Sequence, residues 1–207
     1  MIVDSPFPPS SSARRLFDEI RAASPCPVLV PAGTGSGVGA AVPEALVDEI
    51  RSTSDEDLLG TVPLDASMAD AVRAGLLLRA DRLDESHTIS QGIDTPAGSY
   101  WHGIMHRREP DYGNSKYWFR RTGSHPLFQR LAEPDAIERE ITEGSYPDTG
   151  GFGKIVESGL WDPFRFVDLC EACGRGSRPE LREELKLLQE REMTLLLAHC
   201  FEAATNR

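Results

Sequence analysis

The sequence predicts an all-α protein: a single-domain helical bundle over residues 1–207 with a Gly/Pro-rich N-terminal loop region. Apolar residues recur three or four positions apart in several segments, which is the period of an amphipathic helix. Apolar alternation with β-branched residues, which is typical of a strand, is present only weakly, at residues 28–30. The chain has 207 residues, of which 40% are hydrophobic and 27% charged, so it is long enough for one domain with a substantial core.

The N-terminal part is predicted to contain an arm over residues 1–10, a helix after Ser12, and a Gly-rich loop over residues 27–42. The loop lacks the lysine of a phosphate-binding loop and the spacing of a dinucleotide fingerprint, so we expect no nucleotide site there. Pro43 is well placed as the first residue of the next helix, because its missing amide hydrogen costs nothing at that position. A further helix-start signal begins at Ser54.

Residues 67–132 form the predicted site region. A helical pattern runs from Ser67 to about Gly92. Thr95 and Pro96 then have the residue types of an N-cap and a first helical position, and they open a helix that Pro110 stops. Another helical segment begins at Asp111 and is closed by Gly123.

The C-terminal part is predicted to be helical over residues 136–142, 161–173 and 179–205, with a loop over residues 144–153. The helix over residues 179–205 carries a leucine stripe, which predicts either packing within the chain or a homodimer. Cys170 and Cys173 form a Cys-x-x-Cys pair, but no second pair completes a zinc ribbon and the pair does not follow a strand. We therefore expect two buried, unreactive thiols.

Charge and hydropathy exclude several function classes. The formal net charge is −11, which disfavours nucleic-acid binding because phosphate contacts need clustered cations. The basic pairs at residues 107–108 and 120–121 lie beside acidic residues and are interpreted as ion-pair partners or anchors for a small anion. No apolar run approaches the roughly 18 residues of a membrane helix, and the N-terminus lacks the features of a secretory signal, so the expected location is cytoplasmic with no membrane partner.

Three of the five histidines lie between residues 87 and 106. His102, His106 and Glu109 fall within about 60° of one another on a helix, and two imidazoles one turn apart can bind a common metal ion. The short connection before Thr95 predicts an antiparallel neighbour that brings His87 to the same place. The predicted metal ligands are His87, His102, His106 and Glu109, and the predicted cofactor is a divalent metal: zinc, iron or manganese.

Catalytic roles are predicted for His87, Asp84 and Glu109, with an imidazole as general base and a carboxylate to orient it when no metal is present. Gly98 and Gly103 weaken their helix, which suggests the close approach of a neighbouring helix or a ligand. A polar pocket rich in aromatic residues would suit a small-molecule ligand. Its predicted ligand-binding residues are Gln91, Tyr100, Trp101, Tyr117, Arg120 and Arg121.

Two kinds of function stay open on these residues. The first is a metal-dependent enzyme, either a hydrolase or lyase that activates water or an oxygenase that binds dioxygen. The second is a non-enzymatic ligand-binding or protein-interaction module, in which the histidines and aromatic residues only build a core. His125 and His199 are interpreted as structural in both.

The site region contains sequence strings that resemble those of other proteins. The strings SHTISQ (residues 86–91), GSYWHGIMHRREPDY (98–112) and YWFRR (117–121), with Asn114 between the last two, resemble a set of uncharacterised microbial and fungal proteins. The resemblance implies no reaction and no catalytic residue. The roles assigned above therefore depend on residue chemistry and spacing alone.

Overall fold

A computed structural model of the protein describes residues 5–24, 29, 42–133, 150–157 and 159–205. Of these residues, 73% are helical, in eleven α-helices and one short 3₁₀ helix, and the prediction of an all-α fold is confirmed. Most of the Gly-rich loop over residues 27–42, the predicted helix over residues 136–142 and the first residues of the arm lie outside the described residues. None of the helices in the described ranges is both long enough and apolar enough to cross a membrane.

The helices follow one another with short connections. In chain order they are α1 (Ser12–Ala23), α2 (Glu44–Ser52), α3 (Asp55–Leu59), α4 (Ala66–Arg79), α5 (Leu83–Ser90), α6 (Pro96–Arg108), α7 (Tyr112–Thr122), α8 (Leu127–Ala132), α9 (Gly151–Ile155), α10 (Pro163–Gly174) and α11 (Arg182–Thr205). Two strands of two residues each, β1 (Val156–Glu157) and β2 (Leu160–Trp161), form an antiparallel hairpin between α9 and α10. A short 3₁₀ turn, Pro179–Leu181, precedes α11.

Helix α11 lies at the centre of the bundle, packed against α4, α8, α9 and α10. Its leucine stripe is buried inside the chain, which favours packing within the chain over the alternative of a homodimer. Gly75 of α4 shows how closely the helices approach. A Cβ atom at this position would lie 2.5 Å from Trp101 of α6 and 2.6 Å from Leu197 of α11, so only glycine fits between them.

The prediction of one helix from Ser67 to about Gly92 is wrong. Helix α4 ends at Arg79, the chain turns through Asp81 at a φ of 62°, and α5 begins at Leu83. Aspartate tolerates this left-handed conformation better than most residues. Arg108 of α6 stabilises the break, because its guanidinium donates to the carbonyl oxygen of Leu78 at 2.6 Å and to the carboxylate of Asp81.

The segment before α10 also differs from the prediction. Residues 151–155, expected in a loop, form α9, whose first amides at Gly151 and Phe152 donate to the buried carboxylate of Glu184 at 3.1 and 2.7 Å. An acceptor from a distant helix thus replaces the local cap that the sequence lacks. Trp161, expected to be helical, lies in β2, and α10 begins two residues later behind the N-cap Asp162.

Arg107 of α6 and Glu192 of α11 form an ion pair in the core. Both side chains are 0% exposed, and their charged atoms lie 2.5 Å apart. The hydroxyl of Tyr100 donates to the second carboxylate oxygen at 3.1 Å, and the guanidinium of Arg107 lies 4.2 Å from the ring centroid of Phe166. This network fixes α6, the helix with most of the predicted site residues, against the central helix.

Candidate metal centre

A tight turn brings α5 and α6 side by side. The chain leaves α5 at Ser90 and enters α6 at Pro96, and the hydroxyl oxygen of Thr95 accepts from the amide of Gly98 at 3.2 Å, which is the predicted N-cap. A Cβ atom at Gly98 would collide with the carbonyl oxygen of Ile93. The close approach that the glycine suggested is therefore made by the turn itself.

Three imidazole rings meet where α5 faces α6. The ring centroid of His87 lies 4.5 Å from that of His102 and 5.3 Å from that of His106, and the two rings of α6 are 4.9 Å apart. One nitrogen from each ring lies within 4.8 Å of the others. Ligand atoms around a tetrahedral zinc ion are separated by about 3.3 Å, so metal binding would draw these nitrogens together by at most about 1.5 Å.

His102 lies deepest in the cluster, with 2% of its surface exposed. Its ring stacks on the indole of Trp118, with centroids 3.9 Å apart and an interplanar angle of 22°. Among the described residues its Nδ1 has no hydrogen-bond partner. Burial, with the neighbouring charges of His87, His106 and Arg121, lowers the pKa of His102 to about 3, so the ring is neutral at neutral pH. A neutral imidazole is the form that binds a metal.

His106 contacts two polar side chains. Its Nδ1 lies 3.1 Å from Oε2 of Glu109, and Nδ2 of Asn114 lies over the ring, 3.0 Å from Nε2 and 3.5 Å from Nδ1. Burial lowers the pKa of His106, and the carboxylate of Glu109 opposes that effect. Because a carboxylate only accepts, Nδ1 carries the hydrogen and Nε2 carries the lone pair.

Besides the histidines, Glu109 and Asp84 were the predicted catalytic or metal-binding residues. Glu109 is outside the three-histidine group and contacts it through His106. Asp84 on α5 is exposed, one turn before His87, and the predicted ligand-binding residue Gln91 is exposed at the C-cap of α5, one turn after His87.

Two predicted ligand-binding residues are part of the core. Tyr100 is fully buried and donates to Glu192, and burial together with that carboxylate raises its pKa well above the usual value. Trp101 is also fully buried and packs beside Gly75 between α4 and α11. Aromatic residues at helical spacing are usually core, and these two follow that rule.

The remaining predicted ligand-binding residues lie on the surface of α7. Tyr117 is 47% exposed, and Arg120 and Arg121 are exposed. The guanidinium carbon of Arg121 lies 5.0 Å from the ring centroid of Trp118, and an ion pair at 3.5 Å joins it to Asp94. One cationic side chain of the predicted set is thus next to the indole that covers His102.

Two residues of the site had no role in the prediction. Asn114 and Trp118 lie one turn apart on α7 and contact His106 and His102 respectively. Their spacing of four placed them on one face of a helix, but only packing shows which way that face points. A hydrogen bond of 2.7 Å from Ser115 to the carbonyl oxygen of Gly103 fixes α7 on α6.

The other two histidines and the Cys-x-x-Cys pair lie elsewhere. His125 lies two residues before α8, where its Nδ1 accepts from the amide of Leu127 at 3.2 Å, and its ring centroid lies 4.7 Å from that of His199. Cys170 and Cys173 are buried free thiols, as predicted, and burial raises the pKa of Cys170 to about 12. Thiols with such a pKa are poor nucleophiles and poor metal ligands at neutral pH.

Comparison of the chain with family models, with curated proteins and with solved structures found no match. The chemistry of the site follows from its donor atoms. Three imidazoles that each offer one nitrogen within 4.8 Å of the others can hold one transition-metal ion and leave further coordination positions for water or a ligand.

Proposed function

We propose that the protein binds a divalent transition-metal ion, zinc by preference, through His87, His102 and His106. The observation that carries the proposal is the convergence of one nitrogen from each ring within 4.8 Å. Zinc is commonly held by three histidines in catalytic sites, with its fourth position left to water or substrate. The low pKa of His102 supports the same conclusion, because the ring needs to lose no proton before it binds.

The position of Glu109 favours zinc over iron and manganese. As a direct ligand, this carboxylate would complete the two-histidine, one-carboxylate set of non-haem iron oxygenases. It is instead hydrogen-bonded to Nδ1 of His106 at 3.1 Å. A carboxylate in that position orients a metal-binding histidine and raises its basicity. A hydrolase or lyase that uses a metal-activated water is therefore favoured over an oxygenase.

The reaction would combine the metal with residues at its edge. Zinc held by the three histidines would supply a water whose pKa is lowered to about 7 and a Lewis acid for a substrate oxygen. Arg121 and Tyr117 offer a guanidinium and a hydroxyl near Trp118 for an anionic group of a small-molecule substrate, with Arg120 on the same helix. Asp84 on α5 and Gln91 at the C-cap of α5 are the candidates for proton transfer and ligand binding on either side of His87.

One observation favours a non-enzymatic module instead. His106 contacts Glu109 and Asn114, and His102 is stacked on Trp118, which is the arrangement of residues that specify packing. In that case the imidazoles would contribute to stability and hold no metal.

Metal binding separates the two functions. Protein stripped with a chelator should take up a stoichiometric amount of zinc in a calorimetric titration. At about 100 times the dissociation constant, the ion should add about 2.7 kcal/mol of stability, which raises the melting temperature by about 5–10 °C. His102→Ala should abolish this uptake, whereas His199→Ala, which removes an imidazole outside the cluster, should leave it unchanged. Elemental analysis for zinc, iron and manganese in the protein as purified identifies the metal.

The opposite result would support the packing role. Wild-type protein that takes up no metal and shows no thermal shift, while His102→Ala lowers the melting temperature, would refute the metal site.

A further inference from the structure

The three histidines of the cluster lie on two helices that differ greatly in burial. His102 and His106 are on α6, where every residue from Ala97 to Arg108 is buried. His87 is on α5, and of the α-helices in the described part of the chain α5 alone has no fully buried apolar side chain. We infer that metal occupancy controls the docking of α5, so that the protein responds to the metal as well as binding it; this inference rests on the proposed function.

The side chains that α5 buries are small and polar. Ser86 and Ser90 are its buried residues, whereas Leu83 and Ile89 are half-buried at the edge of the core. The hydroxyl of Ser90 donates to the carbonyl oxygen of His87 in the same helix at 3.3 Å. Among the described residues the buried hydroxyl of Ser86 has no hydrogen-bond partner. Because an apolar face supplies most of the free energy that docks a helix, and an unpaired buried hydroxyl opposes docking, this interface is weak.

Ion pairs at the surface join α5 to α2. The guanidinium of Arg51 donates to the two carboxylate oxygens of Glu85 at 2.7 and 2.8 Å. Arg82, the N-cap of α5, pairs with Glu44. All four side chains are at least 33% exposed, so solvent and salt screen both pairs. Regions with few buried apolar contacts open locally at the lowest cost, and α5 is the part of the site that fits this description.

A metal ion between the two helices changes this balance. Opening of α5 removes His87 from the ion and leaves the two histidines of α6 as ligands. The ion therefore binds the docked state more tightly, and by linkage it stabilises docking by the same factor. At about 100 times the dissociation constant, zinc should slow the opening of α5 by up to about 100-fold. Residual binding to the two histidines of α6 lowers that factor, so we expect a slowing of about 10–100-fold.

Hydrogen exchange of the full chain, measured by mass spectrometry, tests the inference. Chelator-stripped protein is compared with protein in zinc at about 100 times the dissociation constant, which is obtained from a titration against a competing chelator. Labelling times are kept so short that the amides of the central helix α11 do not exchange, and only local opening is then measured. His87→Ala removes the ligand on α5, and His199→Ala, which removes an imidazole outside the cluster, is the matched control. Melting temperatures show that each variant is folded.

In the stripped wild type the amides of α5 should exchange faster than those of α4 and α6, and zinc should slow them about 10–100-fold. His199→Ala should show the same slowing. His87→Ala should not, even at a zinc concentration that saturates its weaker site. The inference would be overturned, with the metal site intact, if zinc binds without slowing exchange in α5 or slows it equally in His87→Ala. If the titration shows no zinc binding by the wild type, the proposed function fails and the inference fails with it.

Discussion

The buried ion pair between Arg107 and Glu192 gives the sharpest stability prediction. Glu192→Gln keeps the size of the side chain and an acceptor for Tyr100 but removes the negative charge. The guanidinium of Arg107, which is 0% exposed, would then carry a charge with no carboxylate beside it. Burial of a charge without its partner typically costs about 3–5 kcal/mol, because the desolvation of the ion is no longer offset.

Thermal and urea unfolding measure this loss. For a chain of this length each kcal/mol shifts the melting temperature by about 2–4 °C, so Glu192→Gln should melt about 6–20 °C below the wild type. Addition of Arg107→Met in the same chain removes the unpaired charge and should recover a large part of the lost stability. The matched control is Glu183→Gln on the same helix. Its carboxylate is 60% exposed and pairs with Lys186, so its effect should stay within about 0.5 kcal/mol.

Two results would refute this reasoning. The first is a loss in Glu192→Gln no larger than that in Glu183→Gln, which would mean that the buried charge is solvated in another way. The second is a double variant no more stable than Glu192→Gln alone, which would mean that the loss does not come from the charge of Arg107.

Two further predictions concern acid stability and the turn before α6. Burial lowers the pKa of His125 from 6.5 to about 4, so below pH 6.5 the unfolded chain binds a proton that the folded chain refuses. The free energy of unfolding should therefore fall as the pH drops below 6.5 and level off near pH 4, with a loss of about 2 kcal/mol at about pH 5. The dependence on pH should be weaker in His125→Asn, which keeps an acceptor for the amide of Leu127. Equal dependence of the two proteins on pH, measured by urea unfolding, would contradict the assignment. Gly98→Ala should lower the melting temperature, because its Cβ would collide with the carbonyl oxygen of Ile93 at a cost of about 1–3 kcal/mol. The control is Gly92→Ala, whose Cβ would lie at an ordinary contact distance of 3.4 Å from the carbonyl oxygen of Ile89. Similar melting temperatures for the two glycine variants would show that the turn yields easily.

Local signals in the sequence predicted several element boundaries well. Thr95 and Asp111 were identified as the starts of helices, and both accept from the amide three residues later. These signals depend on a few neighbouring residues, so one stretch of sequence contains all of the relevant chemistry. The prediction of a single helix through Asp81 failed, because the side chain that stabilises the break, Arg108, comes from another helix.

The site could be predicted in part for the same reason. His102 and His106 share a face through helical periodicity alone, and the short connection before α6 predicted that His87 would lie near them. Glu109 was predicted to be a ligand because it shares that face, but its carboxylate contacts the ring of His106. Helical spacing specifies the side of a helix and not the direction or reach of a side chain beyond Cβ.

The sequence by itself determined the helical class, the main helix starts and the placement of three histidines on two successive helices. Only the tertiary structure decided that Tyr100 and Trp101 belong to the core, that Arg107 pairs with a carboxylate 85 residues away, and that Asn114 reaches His106. The physical reason is the distance along the chain over which each interaction acts. Helix formation and capping depend on contacts within about four residues, whereas burial and the partners of a charged or polar side chain depend on which helices pack together.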